Sequence, residues 1–264
     1  MIRFIRVSLS TTFLNILRQL KHRFTRKLRL YRINKAREIV VEQSNNTVLN
    51  GPFKGLKLVD DFVFGSHIPK LLGCYEKELH PFFEQFLDAK QSSETTICNV
   101  GAAEGFYAVG LAKQENVKAV IVYENLKKGQ QLTQQNAELN QVADKMNING
   151  SCVANSLIAL SQTTTIDFLV MDVEGAELDI LSQDCIKHLS NSWIIVELHD
   201  FCRPNCKKLL CERFEQTHDL QVINAASRTL ADFPQDISVP KSLAISLMDE
   251  QRPNGMQWLC AKPI

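Results

Sequence analysis

The sequence predicts an α/β fold, a mostly parallel sheet with helices on both faces, and three observations carry that expectation. Short apolar runs that read as buried strands, TTICNV, VKAVIVY, DFLVM and WIIVEL, alternate with stretches of helical periodicity. The runs are followed by glycine or acidic residues, the punctuation expected where strands deliver the chain to ligand-binding turns. With 264 residues, 45% hydrophobic and 22% charged, the chain can bury one full core and resembles neither a disordered nor a repeat sequence.

Residues 1–45 read as a basic amphipathic extension and residues 51–264 as the folded domain, with the polar stretch Glu42 to Asn50 between them. Ile2, Ile5, Leu9, Phe13, Leu14, Ile16, Leu17 and Leu20 recur at helical spacing among arginines, predicting a helix from Met1 to about Ala36. The net charge of +1 hides an asymmetry, because Met1 to Val40 carries +10 and the remainder −9. The apolar runs are too short and too interrupted by arginine for a membrane span or a secretory signal. A basic face opposite Leu, Ile and Phe suits an anionic membrane surface, reached through residues 1–40 of a cytoplasmic protein. Packing on the protein's own domain or a partner, and an organellar presequence, stay open. No nucleic-acid partner is expected, since the stretch lacks a binding motif and the body is acidic.

In the domain, LKLV and FVFG are expected as two short strands, and IPKLLGCYEKELHPFFEQFL as a helix interrupted near Gly73 and Pro81. TTICNV leads to a turn from Gly101 to Gly105 and then to a helix from Phe106, a geometry that brings backbone N–H groups close to a ligand. Two glycines alone are weak evidence, because the dinucleotide fingerprint needs three. The next strand, VKAVIVY, ends at Glu124, nineteen residues after Gly105, where a carboxylate can accept hydrogen bonds from ribose hydroxyls. A helix over LKKGQQLTQQNAELNQVA, a weak third strand over Met146 to Cys152, and helices over Ser182–Leu189 and Lys207–His218 follow. LQVINAA, KSLAISLMDE and MQWLCAKP are expected to supply the last strands. Gly101, Glu124, Asp172 and His199 then all stand at strand ends or the turns after them, which makes them a candidate site.

Eight cysteines without a C-x-x-C pair argue for a reducing compartment rather than a disulfide framework. His199 with Cys202, Cys206 and Cys211 invites a zinc reading, but the spacing matches no usual structural set.

NVGAAEGFYAVGLA, the strand-end Glu124, DFLVMDVEGAEL and IIVELHD, in that order, resemble the FkbM family of S-adenosylmethionine-dependent methyltransferases. The resemblance runs from about Gly51 to the C-terminus. It implies a Rossmann-like class I methyltransferase fold with a seven-stranded sheet, S-adenosyl-L-methionine as cofactor, and O-methylation of a sugar, glycolipid or other small-molecule hydroxyl. It assigns cofactor binding to Asn99, Gly101, Ala103, Glu104, Gly105, Tyr107, Glu124, Cys152 and Asp172. Family members commonly carry Asp where this chain has Asn99, which can hydrogen-bond an amino group but supplies no charge. Segments similar to residues 51–55 and 71–79 precede the first strand in a subset of the family, which implies that Tyr75 and Glu76 line the cofactor or acceptor pocket, while surface positions on an entry helix stay open.

His199, Asp172 and Glu174 are the catalytic candidates, with Glu177 beside them. A histidine is the natural base for a hydroxyl acceptor, while orienting and structural roles for His199 stay open. Asp172 with Glu174 could alternatively hold a divalent cation, although no metal is expected. Arg213 and His218 are candidates for an anionic acceptor or solvated helix positions. Two rival functions remain: a non-catalytic protein of the same fold, and a nicotinamide-dependent oxidoreductase, which the missing third glycine disfavours.

Overall fold

The computed structural model describes residues 11–63, 67–253 and 255–264. Helices α1 (Thr11–Ser44), α2 (His67–Leu72) and α3 (His80–Ala89) precede an alternating core. That core runs β1 (Thr95–Val100), α4 (Phe106–Ala112), β2 (Val117–Tyr123), α5 (Lys127–Leu139), β3 (Met146–Asn149), α6 (Ala154–Thr163) and β4 (Phe168–Met171). It continues through α7 (Glu177–Ile180), α8 (Gln183–His188), β5 (Trp193–Leu198), α9 (Cys206–Phe214), β6 (His218–Asn224), α10 (Lys241–Leu247) and β7 (Gln257–Pro263).

The strands form one seven-stranded sheet in the order β3-β2-β1-β4-β5-β7-β6. Strands β1 to β5 pair in parallel, and β7 runs antiparallel between β5 and β6. This is the Rossmann-like, mostly parallel arrangement expected from the sequence. Strand order reverses between β1 and β4, so a crevice opens beyond their carboxyl ends, at Gly101 and Asp172.

Side chains alternate between two cores, as a sheet buried on both faces requires. Phe168, Val170, Trp193, Ile195, Trp258 and Cys260 enter one core; Leu169, Met171, Ile194, Val196, Leu259 and Ala261 enter the other. The first is covered by α3 and α4 through Phe82, Phe83, Phe86, Phe106 and Val109. The second is covered by α6, α8 and α9 through Leu157, Ile186, Leu210 and Phe214.

Helix α1 continues past the expected end near Ala36 to Ser44, and its last turns pack on the domain, since Ala36 and Val40 are buried in the first core. From Lys21 to Arg32 its side chains are exposed. Ile2, Ile5 and Leu9 lie outside the described residues, as do the side chains of Phe13, Leu14, Ile16, Leu17 and Leu20.

Four local expectations are corrected. LKLV forms no strand beyond a single bridge between Thr47 and Lys57, because the side chains of Asn140 and Asn136 on α5 take up the backbone N–H groups of Lys57 and Val59. Asp61 to Val63 is irregular, and the rest of FVFG lies outside the described residues. KSLAISL is the helix α10 rather than a strand, with Ala244, Leu247 and Met248 buried at helical spacing. The chain breaks at Gly73, which has φ +71°, but not at Pro81, which sits in the first turn of α3, where a missing N–H costs no hydrogen bond. Likewise α9 ends at Phe214, and His218 opens β6.

Candidate active site

Two connected cavities occupy the crevice. The larger, about 360 Å³, is lined by Gly101, Ala103, Tyr123, Glu124, Ser151, Cys152, Asp172 and Glu174. The smaller, about 40 Å³, is lined by Glu76, Asn99, Tyr107, Glu197 and Trp258. Lys70, Tyr75, Gly101, Ala103 and Asp172 stand on both walls.

The glycine turn has a reason the sequence did not reveal. Gly101 adopts φ +76°, and a Cβ there would overlap the backbone carbonyl of Asp172 on the neighbouring strand. Gly105, at φ +81°, would bring a Cβ within 2.8 Å of the Thr133 side chain. Both glycines are therefore required by the protein's own packing and backbone conformation. Only Gly101 also lines the cavities; Gly105 does not.

Glu124 is 5% exposed and accepts two backbone hydrogen bonds, from Ala103 N–H and from Leu126 N–H, each at 2.7 Å. Gly129 makes room for it, since a Cβ there would meet Glu124 Cγ at 2.7 Å. A carboxylate offers about four acceptor positions, so two remain to receive hydroxyls from the cavity. The backbone bonds fix the side chain against the cavity wall before any ligand arrives.

Asn99 is 1% exposed; its Nδ2 donates to Val170 O at 3.2 Å, while Oδ1 is buried without a hydrogen-bond partner. That unsatisfied acceptor in the crevice fits an amino group of a ligand. Glu104 does not reach either cavity. It is 2% exposed, pairs with the Lys70 ammonium and accepts from Val63 N–H at 3.3 Å. It holds Lys70, which reaches the walls that Glu104 does not and also lies over the Tyr75 ring at 4.7 Å.

At the β4 and β5 ends the catalytic candidates meet. His199 is 1% exposed, and its Nδ1 lies 2.6 Å from Oε1 of the fully buried Glu177. Its Nε2 lies 3.4 Å from Glu174 Oε2, 3.6 Å from Asp172 Oδ1 and 3.8 Å from Glu197 Oε1. Burial lowers the affinity of His199 for a proton, but the hydrogen bond and charge of Glu177 outweigh it and leave His199 raised to about 9. Burial and then the nearby Glu76 charge push Asp172 up to about 7; burial, followed by Asp172 and Glu76, pushes Glu197 up to about 9. Carboxylates crowd this end of the crevice.

Sequence reasoning missed Glu197 and Arg252. Arg252 pairs with Glu76, with Glu197 at 3.1 Å and with Glu250 at 2.8 Å, and Tyr107 donates its hydroxyl to Glu76. Strand alternation places Glu197 on the face of Ile195, a signal within the motif; Arg252 arrives from a loop after α10 that no local pattern connects to the site.

Other candidates fall elsewhere. Arg213 donates to the carbonyls of Leu178 and Leu181, and His218 is buried against Ser192 O at 3.0 Å, so both serve packing rather than an anionic acceptor. Among the described residues, the one grouping of three close enough to share a metal ion is Asp172, Glu174 and His199, which excludes the cysteines from the zinc reading.

The Methyltransferase FkbM domain family matches residues 78–220, more than half of the chain and both sides of this site. The chain belongs to the FkbM methyltransferase family. As an FkbM domain it is a methyltransferase, and S-adenosylmethionine is the donor that goes with that membership. No curated protein sequence matches it. Among solved structures it is similar to the precorrin 8W decarboxylase of Methanobacterium thermoautotrophicum, at 13% identity and TM-score 0.44 over 70% of this chain and 90% of that one. It is similar to the O-methyltransferase TomG of Streptomyces achromogenes, solved with SAM, at 12% identity and TM-score 0.45 over 69% and 80%. A human methyltransferase 10 domain containing protein aligns at 13% identity and TM-score 0.45 over 79% and 88%.

Proposed function

We propose that this FkbM domain transfers a methyl group to a hydroxyl of a sugar, glycolipid or similar small acceptor. The observation that carries the reading is the junction of two features. A cavity with Glu124 on its wall also carries Asp172 and Glu174, and His199, which lines neither cavity, stands behind them at 3.6 and 3.4 Å.

The residues fit the donor. Glu124 has acceptor positions for ribose hydroxyls, Ser151 and Cys152 line the same cavity beyond it, and the buried Asn99 Oδ1 is open to an ammonium group. When bound, S-adenosylmethionine supplies a methyl group on a sulfonium centre and leaves as a thioether. The chain's own task is to hold the acceptor oxygen in line with that methyl and to promote the loss of its proton. The carboxyl oxygens crowded on this rim offer many acceptor positions, which favours an acceptor that carries several O–H donors.

The reading is tested by incubating the full chain with methyl-tritiated donor and a panel of sugars, glycolipids and amine acceptors, followed by NMR of labelled products. An O-methyl ether is expected. Methylated nitrogen or carbon, or no product from a protein that binds S-adenosylhomocysteine, would contradict O-methylation; the second result would favour the non-catalytic alternative.

We further infer that α1 rests on an anionic membrane surface. No described helix is long and apolar enough to cross a membrane. What α1 presents is Arg23, Arg26, Lys27, Arg29 and Arg32 together with exposed Phe24, Leu28 and Tyr31, whose spacing of four and three places them on one face. Each basic residue near an anionic surface contributes about 1 kcal/mol. Replacing Arg23, Arg26, Lys27 and Arg29 by Glu spares the buried Ala36 and Val40. It is expected to abolish co-sedimentation with phosphatidylserine vesicles, and binding that survives the change, or that occurs equally on neutral vesicles, would refute membrane contact.

A further inference from the structure

We propose that Asp172, Glu174 and His199 form a binding site for a divalent metal cation at the acceptor end of the crevice. The inference rests on the O-methyltransfer reading and adds to it what fixes and acidifies the acceptor. On sequence alone Asp172 and Glu174 are an acidic pair, which more often caps a turn than binds a cation. The structure adds a third donor of a different kind.

His199 is 1% exposed, and its Nε2 points at carboxylates rather than at solvent. It faces the gap between Asp172 and Glu174, at 3.6 and 3.4 Å from their oxygens. The Asp172 oxygen that faces it is buried and also without a hydrogen-bond partner. A buried imidazole nitrogen and an unsatisfied carboxylate oxygen, one on each strand end, thus point into one small space. The three donor atoms lie within 4.8 Å of one another. Ligand atoms bound at about 2.1 Å around a tetrahedral or octahedral ion stand about 3.0 to 3.5 Å apart, so the two nitrogen–oxygen separations already approximate coordination edges.

Behind the imidazole stands Glu177, 0% exposed, which receives the Nδ1–H at 2.6 Å and is itself held by Gly175 N–H at 3.1 Å. A buried carboxylate on the far nitrogen fixes the tautomer and ring plane of a metal-binding histidine and makes its free nitrogen a better donor. Glu174 is 70% exposed and faces the open side, where an acceptor enters. One imidazole and two carboxylates leave further coordination positions for acceptor oxygens, and this mixed set suits a first-row ion such as Mn²⁺.

The consequence is chemical selection. A cation here would lower the pKa of an acceptor hydroxyl; its O–H bond breaks with the proton passing to solvent, and the oxygen takes the methyl carbon as the sulfonium S–C bond breaks and the thioether leaves. A second coordinated oxygen fixes the acceptor's orientation, so vicinal diols and α-hydroxy acids are preferred over isolated hydroxyls.

The test is calorimetric titration of the metal-free full chain with MnCl₂, in the presence and absence of S-adenosylhomocysteine, for wild type, Glu174→Gln and His199→Asn. Glu174 is exposed, so its substitution leaves the fold intact even if His199→Asn does not. One Mn²⁺ per chain is expected, with at least tenfold weaker binding for Glu174→Gln, and wild type is expected to bind S-adenosylhomocysteine. No stoichiometric Mn²⁺ site, or a site indifferent to Glu174→Gln, overturns the metal proposal. Failure to bind S-adenosylhomocysteine would instead strike the underlying methyltransferase reading, so the two failures are separable.

Discussion

Gly101→Ala is expected to destabilise the domain by about 3 kcal/mol and to destroy donor binding in whatever fraction still folds. The reason is the close approach of two strands at the site. A methyl group at Gly101 would overlap the Asp172 carbonyl, and φ +76° is unfavourable for any residue with a Cβ. Relief requires β1 and β4 to part where the cavities meet. Urea unfolding monitored by Trp fluorescence measures it, since Trp193 and Trp258 are both buried in the core. A shift below about 0.5 kcal/mol, the range of an ordinary surface change, would show that the turn is not held as described. Gly150, where a Cβ would meet nothing, is the matched control.

Asp172→Asn is expected to lower methyl transfer at least about a hundredfold, with S-adenosylhomocysteine affinity within tenfold of wild type. Asp172 stands on the walls of both cavities and faces His199, so its charge acts where donor and acceptor meet. The amide keeps the shape and removes the charge. A rate within threefold of wild type would place the chemistry elsewhere in the crevice. An equal loss in turnover and in donor affinity would instead make Asp172 a donor-binding residue.

Much of this was legible in the sequence, for identifiable reasons. β1, β2, β4 and β5 are buried on both faces and announce themselves as apolar runs, and Glu124 terminates β2 where the spacing from the glycine turn places it. KSLAISL reads as a strand because its apolar residues sit in a run too short to show a helical period, so only burial of Ala244 and Leu247 on one face reveals the helix. The purpose of Gly101 was half seen: the turn needs positive φ, but which atoms crowd it depends on β4, some seventy residues away in the chain.

The catalytic end was the less readable half. His199 and Asp172 are strand-end residues and could be nominated by position. That Glu177 turns back to hold His199 from behind, and that Arg252 and Glu76 converge on Glu197 from opposite ends of the chain, are tertiary facts with no local signature. Glu104 shows the opposite error. It lies within the turn motif, yet its side chain is directed to Lys70, which is the residue that reaches the cavity.

The central claim is that Glu124 and the cavity beside it hold S-adenosylmethionine, and calorimetric titration with S-adenosylmethionine and S-adenosylhomocysteine tests it most directly. Wild type is expected to bind both in the micromolar range, and Glu124→Ala, checked as folded by its unfolding midpoint, to bind at least tenfold more weakly, about 1.4 kcal/mol. Absence of binding to wild type, or equal affinity in Glu124→Ala, would contradict it.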